Sequence, residues 1–353
     1  MSQFNVSTHA RHCTTRVLVF LLPLLGVLLP HPIEAAFAIA MSDSGQYQLA
    51  ANLAIYSSSD FGQTWVAPQA YACIPMVAVS GDGRYQLIAD AKNYSTPIFP
   101  WEPACTGRIF LSNDFGKTFN AVGPVQPWNG LVISEDGTYI TAFAPQTVYT
   151  SADHGKSWQA AARLKVYDLF VFSYPAAMSA SGQTQACLFL NLPSDSYLML
   201  YSTDYGRTWA TSGRVLFPFG TLLRAMTMNN NTLWAAPTYD CYQSQANDGT
   251  SQLMMSSDGG VKWKNVSSIP TCPVGGLKIS RQTGQYCVAC SYEKVFFLSD
   301  DHCKTWTLVR NISAEMWVDV AISADGKYIT AVSDSGGFAY TSSDHGTTWH
   351  SVR

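Results

Sequence analysis

The sequence predicts an all-β fold, a seven-bladed β-propeller of four-stranded antiparallel blades, and three observations carry that prediction. A motif of the form Ser-x-Asp-x-Gly-x-Thr-Trp recurs seven times between residues 58 and 349. A β-turn with Ser at its start and Gly at its end precedes the motif in six of the seven repeats. The motif aspartates are separated by 54, 39, 51, 54, 43 and 43 residues, the length of a four-stranded blade with variable loops.

The motifs run Ser58 to Trp65, Ser112 to Phe119, Ser151 to Trp158, Ser202 to Trp209, Ser256 to Trp263, Ser299 to Trp306 and Ser342 to Trp349. Their aspartates are Asp60, Asp114, Asp153, Asp204, Asp258, Asp301 and Asp344. Each residue type has a local reason to be there. Asp and Ser accept hydrogen bonds from turn amides, Gly takes a left-handed backbone, and Trp anchors the outgoing strand between neighbouring sheets. Two residues before each opening Ser stands a large apolar side chain (Tyr56, Phe110, Tyr149, Leu200, Met254, Phe297, Tyr340), as an inward position of a strand requires. The preceding turns are Ser42 to Gly45, Ser80 to Gly83, Ser134 to Gly137, Ser179 to Gly182, Ser280 to Gly284 and Ser323 to Gly326, while blade five keeps only Asn229-Asn230-Asn231. Gly and Asn tolerate the positive φ of tight hairpins, and β-formers flank them. Each blade therefore reads as strand a, turn, strand b, loop, strand c, motif, strand d. The expected blades cover 36–70, 71–124, 125–165, 166–215, 216–268, 269–312 and 313–353.

These repeats resemble the Asp-box family, also called bacterial neuraminidase repeats, found in sialidases, xyloglucanases, sortilin-type receptors and a photosystem II assembly factor. The resemblance implies that the motif sits at the turn between strands c and d and is structural, away from the active face. Departures are Phe119 for Trp, Lys262 for Thr and Cys303 for Gly.

Arg11 and Arg16 lead into an apolar run from Val17 to Leu29, followed by small residues at Ala35, Ala36 and Ala38. This predicts a secretory signal peptide over 1–35, with cleavage as late as residue 38, and a secreted protein. The run is shorter than the roughly 20 residues that span a bilayer, so no stable membrane span is expected after cleavage; an uncleaved anchor is the alternative. Eight cysteines remain beyond Cys13, an even number suited to an oxidising compartment. Placement in the repeat suggests the pairs Cys73–Cys105, Cys241–Cys272 and Cys287–Cys303, leaving Cys187 and Cys290 as buried thiols, although other connectivities stay open. Asn93, Asn230, Asn265 and Asn311 open glycan sequons. The 353 residues are 47% hydrophobic and 13% charged, with a formal net charge of −3 and no run of either sign. A globular chain follows, expected to be monomeric, and nucleic acid is excluded as a partner because phosphate binding needs a clustered positive field.

Because strands alternate in direction, the a–b turns and the motifs share one end of the ring, and the b–c loops and d–a connectors share the other. Function is expected at the second end, where loops vary without touching the sheets. Blades two, four and five carry extra residues between strands b and c. The blade-two insertion holds Tyr94, Phe99 and Trp101 among prolines, and the blade-five insertion adds Tyr239, Asp240 and Tyr242. Rings on a stiffened loop offer a platform for sugar faces or a partner's apolar patch, or else cap the channel.

Catalysis has weaker support. A sialidase requires an arginine cluster, but Arg84 and Arg281 lie in a–b turns and Arg207 lies inside a motif, and the family's Arg-Ile-Pro element is absent. A general glycoside hydrolase requires two carboxylates about 5–10 Å apart, and Asp168 with Asp319 is the pair to test, near strand a and the channel. A xyloglucanase builds its cleft between two propellers, and one fits here. No zinc spacing, nucleophile elbow or phosphate-binding loop occurs, so no cofactor or metal is expected. The sequence thus favours a non-catalytic module that binds a glycan or a protein, with a glycoside hydrolase (sialidase-like or xyloglucanase-like) or an assembly scaffold as alternatives.

Overall fold

The computed structural model describes residues 38–352 apart from 52–53, 71–74, 91–106, 164–174, 192–195, 216–221, 230, 239–249, 272–273, 314 and 334–338. These form seven sheets of four antiparallel strands, each sheet built from strands consecutive in the chain. The blades span 38–70, 75–122, 130–163, 176–215, 222–269, 274–308 and 317–352. The chain is a seven-bladed β-propeller.

The core is a set of layers between adjacent blades. Leu49, Ala51 and Ile55 of blade one meet Val79 and Ile88 of blade two, and Val288 and Phe296 of blade six meet Trp317, Val320 and Ile329 of blade seven. Burying side chains of this size stabilises by about 1.5–3 kcal/mol each, which is why strand b is enclosed on both faces and reads as an unbroken apolar run.

Among the described residues no strand is exchanged between the chain ends, and blades one and seven meet through side chains and single hydrogen bonds. Ile39, Met41 and Ala50 of blade one cluster with Ala321, Val332 and Ala339 of blade seven, and Trp65 packs against that cluster. Thr330 Oγ1 donates to Gln48 Oε1 at 2.8 Å, Ala324 N to Asp43 O at 2.9 Å, and Ile39 N to Asp319 Oδ2 at 3.1 Å.

The Thr-to-Gln contact repeats between blades three and four, where Thr141 Oγ1 donates to Gln185 Oε1 at 2.6 Å. Between blades one and two the donor's place is taken by Leu49. The fully buried Gln86 therefore keeps an Oε1 with no donor among the described residues. Blades three and seven carry Ile140 and Ile329 at this position, so Gln86→Ile is expected to stabilise the protein by about 1 kcal/mol, read from denaturant midpoints at constant m-value. An unchanged or lower midpoint would show that the buried oxygen is not a liability.

Blade four departs from its expected form. Its extra residues extend strands b and c (Gln185–Asn191 and Ser196–Ser202) rather than forming a long loop, so only four residues, 192–195, connect them.

Candidate functional site

A propeller offers two ends of its channel to a ligand. At the turn end, successive a–b turns are tied amide to carbonyl around the mouth: Asp43 N to Gly81 O, Gly81 N to Glu135 O, Glu135 N to Ala180 O, Gln282 N to Ala324 O, and Ala324 N back to Asp43 O, all at 2.7–2.9 Å. Blade five, whose turn is shortened, substitutes the side chain of Asn229, which donates to Ser280 O at 2.7 Å and Arg281 O at 3.0 Å. Small residues at Gly81, Ala180 and Ala324 leave room over the mouth for long side chains. Arg281 reaches Asp43 at 3.2 Å, and Glu135 and Asp43 meet above Gly81, where a Cβ would stand 2.3 Å from one and 2.5 Å from the other. The hydrogen bond with Asp43, reinforced by burial, pushes the Glu135 carboxyl above the ordinary glutamate value. A ring of aromatics lies outside this mouth. Tyr47, Tyr139 and Tyr328 pack on Phe115, Tyr205 and Phe61 of the next blade, and Tyr85 and Tyr286 stack on His154 and His345.

The seven motif aspartates lie at this same end, each inside its own turn. In blade one, Ser58 Oγ and Thr64 N donate to Asp60 Oδ1 at 2.8 and 2.9 Å, and Thr64 Oγ1 donates to Oδ2. Gly62 N donates to Ser58 Oγ and Trp65 Nε1 to Gly62 O, each at 3.0 Å. Both oxygens are occupied in this way in six of the seven turns; Asp258 lacks the second donor because Lys262 stands for Thr. At Asp114 and Asp153 slight burial acts upward, but hydrogen bonds from the turn outweigh it and bring each carboxyl down to about 2. At Asp301 the hydrogen bond from Thr305 leads and the direction is the same. Groups held ionised and saturated within their own turn are poor proton donors.

The loop end is built differently. The three longest connections, 91–108, 164–175 and 239–250, all leave there. Tyr94, Phe99, Trp101, Tyr239, Tyr242, Asp168 and the cysteines Cys73, Cys105, Cys241 and Cys272 fall outside the described residues, but the root of the blade-two loop is visible. The carbonyl of Gly107, which adopts a φ of 64°, accepts from both Gln126 N and Trp128 Nε1 at 2.9 Å. Trp128 is fully buried and meets Tyr149 edge-on at 5.6 Å. Sequence reasoning missed Trp128. Of the ten tryptophans six close motifs, and this one stands outside them, which was the available signal.

Asp319 lies near this end on strand a of blade seven (Trp317–Ile322). A register shift between Trp317 and Asp319 inserts Val318 and aims the carboxylate at blade one. Its Oδ2 accepts from Ile39 N at 3.1 Å and its Oδ1 from Val320 N at 2.9 Å. Burial pushes its pKa above the ordinary aspartate value, against the pull of Lys278.

Cys287 and Cys303 form a disulfide at the turn end, with Cα atoms 5.7 Å apart, and Cys187 and Cys290 are free and buried. Burial pushes both free thiols well above the ordinary range. Among the described residues no group of three His, Cys, Asp or Glu is placed to hold a metal ion, and no helix is long and apolar enough to cross a membrane. Two shallow clefts on the described surface lie between blades at the turn end: one of about 530 Å³ beside Tyr47, Val66 and Phe115, and one of about 250 Å³ beside Tyr85 and His154.

No protein-family model and no curated protein matches the chain. Solved structures do. The GH74 enzyme of Niastella koreensis superposes with a TM-score of 0.65 at 14% identity, over 90% of this chain and 54% of that one. YCF48 bound to D1 peptide gives 0.57 at 14% identity, over 88% and 93%. Kuenenia stuttgartiensis hydrazine synthase gives 0.63 at 13% identity, over 94% and 99%. The likeness is one of fold. The chain spans about half the length of the GH74 structures it resembles, so what the propeller binds has to be argued from its own residues.

Proposed function

We propose that this chain is a secreted, non-catalytic binding propeller of the Asp-box kind, acting as a monomer without a cofactor, and that it takes a glycan or a protein ligand at its loop end. The observation that carries this reading is the inequality of the two ends. The turn end is tied together by hydrogen bonds between six of the seven adjacent pairs of turns and by the Arg281, Asp43 and Glu135 side chains, while the three long connections, all of them carrying aromatic residues, leave from the other. Loops that vary over a rigid scaffold are where recognition is placed. YCF48 has been solved holding a peptide, which supports keeping a protein ligand beside a glycan in the test. A glycoside hydrolase using Asp168 and Asp319 draws on the fold likeness to GH74 enzymes, but Asp319 spends both oxygens on backbone amides.

The test compares the wild type with a Trp101→Ala/Tyr242→Ala double variant on glycan and protein arrays. Affinity for the ligand found is expected to fall at least about tenfold, since truncated aromatic anchors carry much of the energy of such contacts. Unchanged binding would sink the reading.

A further inference from the structure

We propose that the secreted protein is cut after Ala38 and that the α-ammonium of Ile39 released by the cut forms an ion pair with Asp319, locking blade one to blade seven. The proposal rests on the reading of the N-terminal segment as a secretory signal. Three observations meet at one peptide bond. First, Ala36-Phe37-Ala38 places small residues at the two positions a signal endopeptidase reads, downstream of the apolar run Val17 to Leu29. Second, Ile39 N lies 3.1 Å from Asp319 Oδ2, so the hydrogen of this nitrogen goes across to blade seven rather than to its own sheet, and its side chain is fixed in the core. Third, the contacts of Asp319 with the described residues are to backbone amides, Ile39 N and Val320 N, and carry no formal charge.

The groups acting on Asp319 from the neighbouring blade are Lys278 on strand a (Val274–Ile279) and the neutral Cys290 on strand b (Cys287–Ser291). With amide donors in contact and Lys278 acting from the neighbouring blade, the half-buried carboxylate has no opposite charge in contact among the described residues, a costly arrangement. Hydrolysis of the 38–39 bond changes that. Water adds across the amide, the new carboxylate leaves on Ala38 with the signal segment, and the amine on Ile39 takes up a proton. The same nitrogen then offers a full positive charge at hydrogen-bond distance from Asp319, where charge-assisted bonds are about twice as strong as neutral ones. The cut removes one residue from strand a of blade one (Ala38–Met41), with the loss of its pairing to Ala51. Cutting after residue 35 would keep that pairing but leave Ile39 N a neutral amide. The two sites therefore give physically different products.

N-terminal sequencing of protein secreted from an expression host is expected to begin at Ile39; any other mature terminus overturns the processing half. The ion pair is tested separately, on purified chains released from a fusion so that they begin at Ile39 or at Ala36, each as wild type and as Asp319→Asn. The Ile39 chain is expected to melt about 5 °C higher at pH 6, as loss of a partly buried pair in a chain of this size implies. The ammonium's pKa is raised by its partner above the roughly 8 of a free terminus, so while Asp319 is ionised the advantage is full up to about pH 8 and is lost as pH rises through the folded value, and on the acid side it is lost as the carboxylate takes up a proton. Asp319→Asn should erase it in the Ile39 chain and leave the Ala36 chain little changed. Equal melting of the two wild-type chains at pH 6 overturns the ion pair, whether or not the signal reading holds.

Discussion

Replacing both Cys287 and Cys303 by Ser is expected to lower stability by about 3 kcal/mol, the chain-entropy value for a bond closing a loop of this length. The sequence separation is 16 residues. More follows from where the bond sits. Cys303 occupies the motif position that is Gly in the other six repeats, with a φ of 61°, and Cys287 occupies the strand-b position that is Gln in blades one, two and four. In blade one the two positions touch: a Cβ on Gly62, at a φ of 80°, would stand 3.1 Å from the Gln48 amide and 2.8 Å from Thr341. The glutamine and a side chain at the glycine position therefore exclude one another, and blade six has exchanged both together, so that the bond ties its a–b turn to its c–d turn. Restoring the pair as Cys287→Gln/Cys303→Gly should recover about half of the loss, because Gly relieves a left-handed residue that costs about 1–2 kcal/mol. Calorimetry of the three proteins checks the order: wild type, then Gln/Gly, then Ser/Ser. A Gln/Gly protein no better than Ser/Ser would contradict the exchange.

Trp128→Ala is expected to cost about 3–5 kcal/mol, the usual price of removing a fully buried aromatic. The informative variant is Trp128→Phe. It keeps most of the ring packing between blades two and three but deletes the N–H that reaches Gly107 O at 2.9 Å, a loss of about 1–2 kcal/mol. Because that carbonyl is the root of the blade-two loop, Trp128→Phe should weaken ligand binding several-fold while the far-ultraviolet spectrum and the cooperative melt persist. Full affinity in a folded Trp128→Phe protein would show that the loop holds its shape without this anchor.

The parts of the fold legible in the sequence were those each blade must solve alone. Every c–d turn needs its own Asp acceptor, Ser relay and positive-φ residue, so the solution is written seven times and counts the blades. The Cys287–Cys303 pair was legible for the same reason, since both positions are fixed by the repeat. Ring closure was not. Ile39 and Asp319 are 280 residues apart, and it is the extra residue Val318 that aims the carboxylate, a register shift with no local signature. Asp319 read from sequence as a candidate channel-side acid; in the fold its oxygens serve two amides. Blade four misled in another way, because residues counted as loop prolong two β-rich strands. The stacked tyrosines were in plain view two residues after five turn glycines, but they act between blades, and a reading confined to one repeat at a time passes over them. At the loop end the aromatic insertions were legible as composition, whereas the Trp128 anchor depends on contacts between blades.

The central claim is that ligand is taken at the loop end and that the turn end is structural. Hydrogen exchange with and without saturating ligand tests it most directly. Protection is expected over 91–108 and 239–250, with the turn-end segments 42–47, 58–65 and 134–139 unchanged. Protection that instead concentrates on those turn segments, leaving both insertions as exposed as in the free protein, would contradict the account.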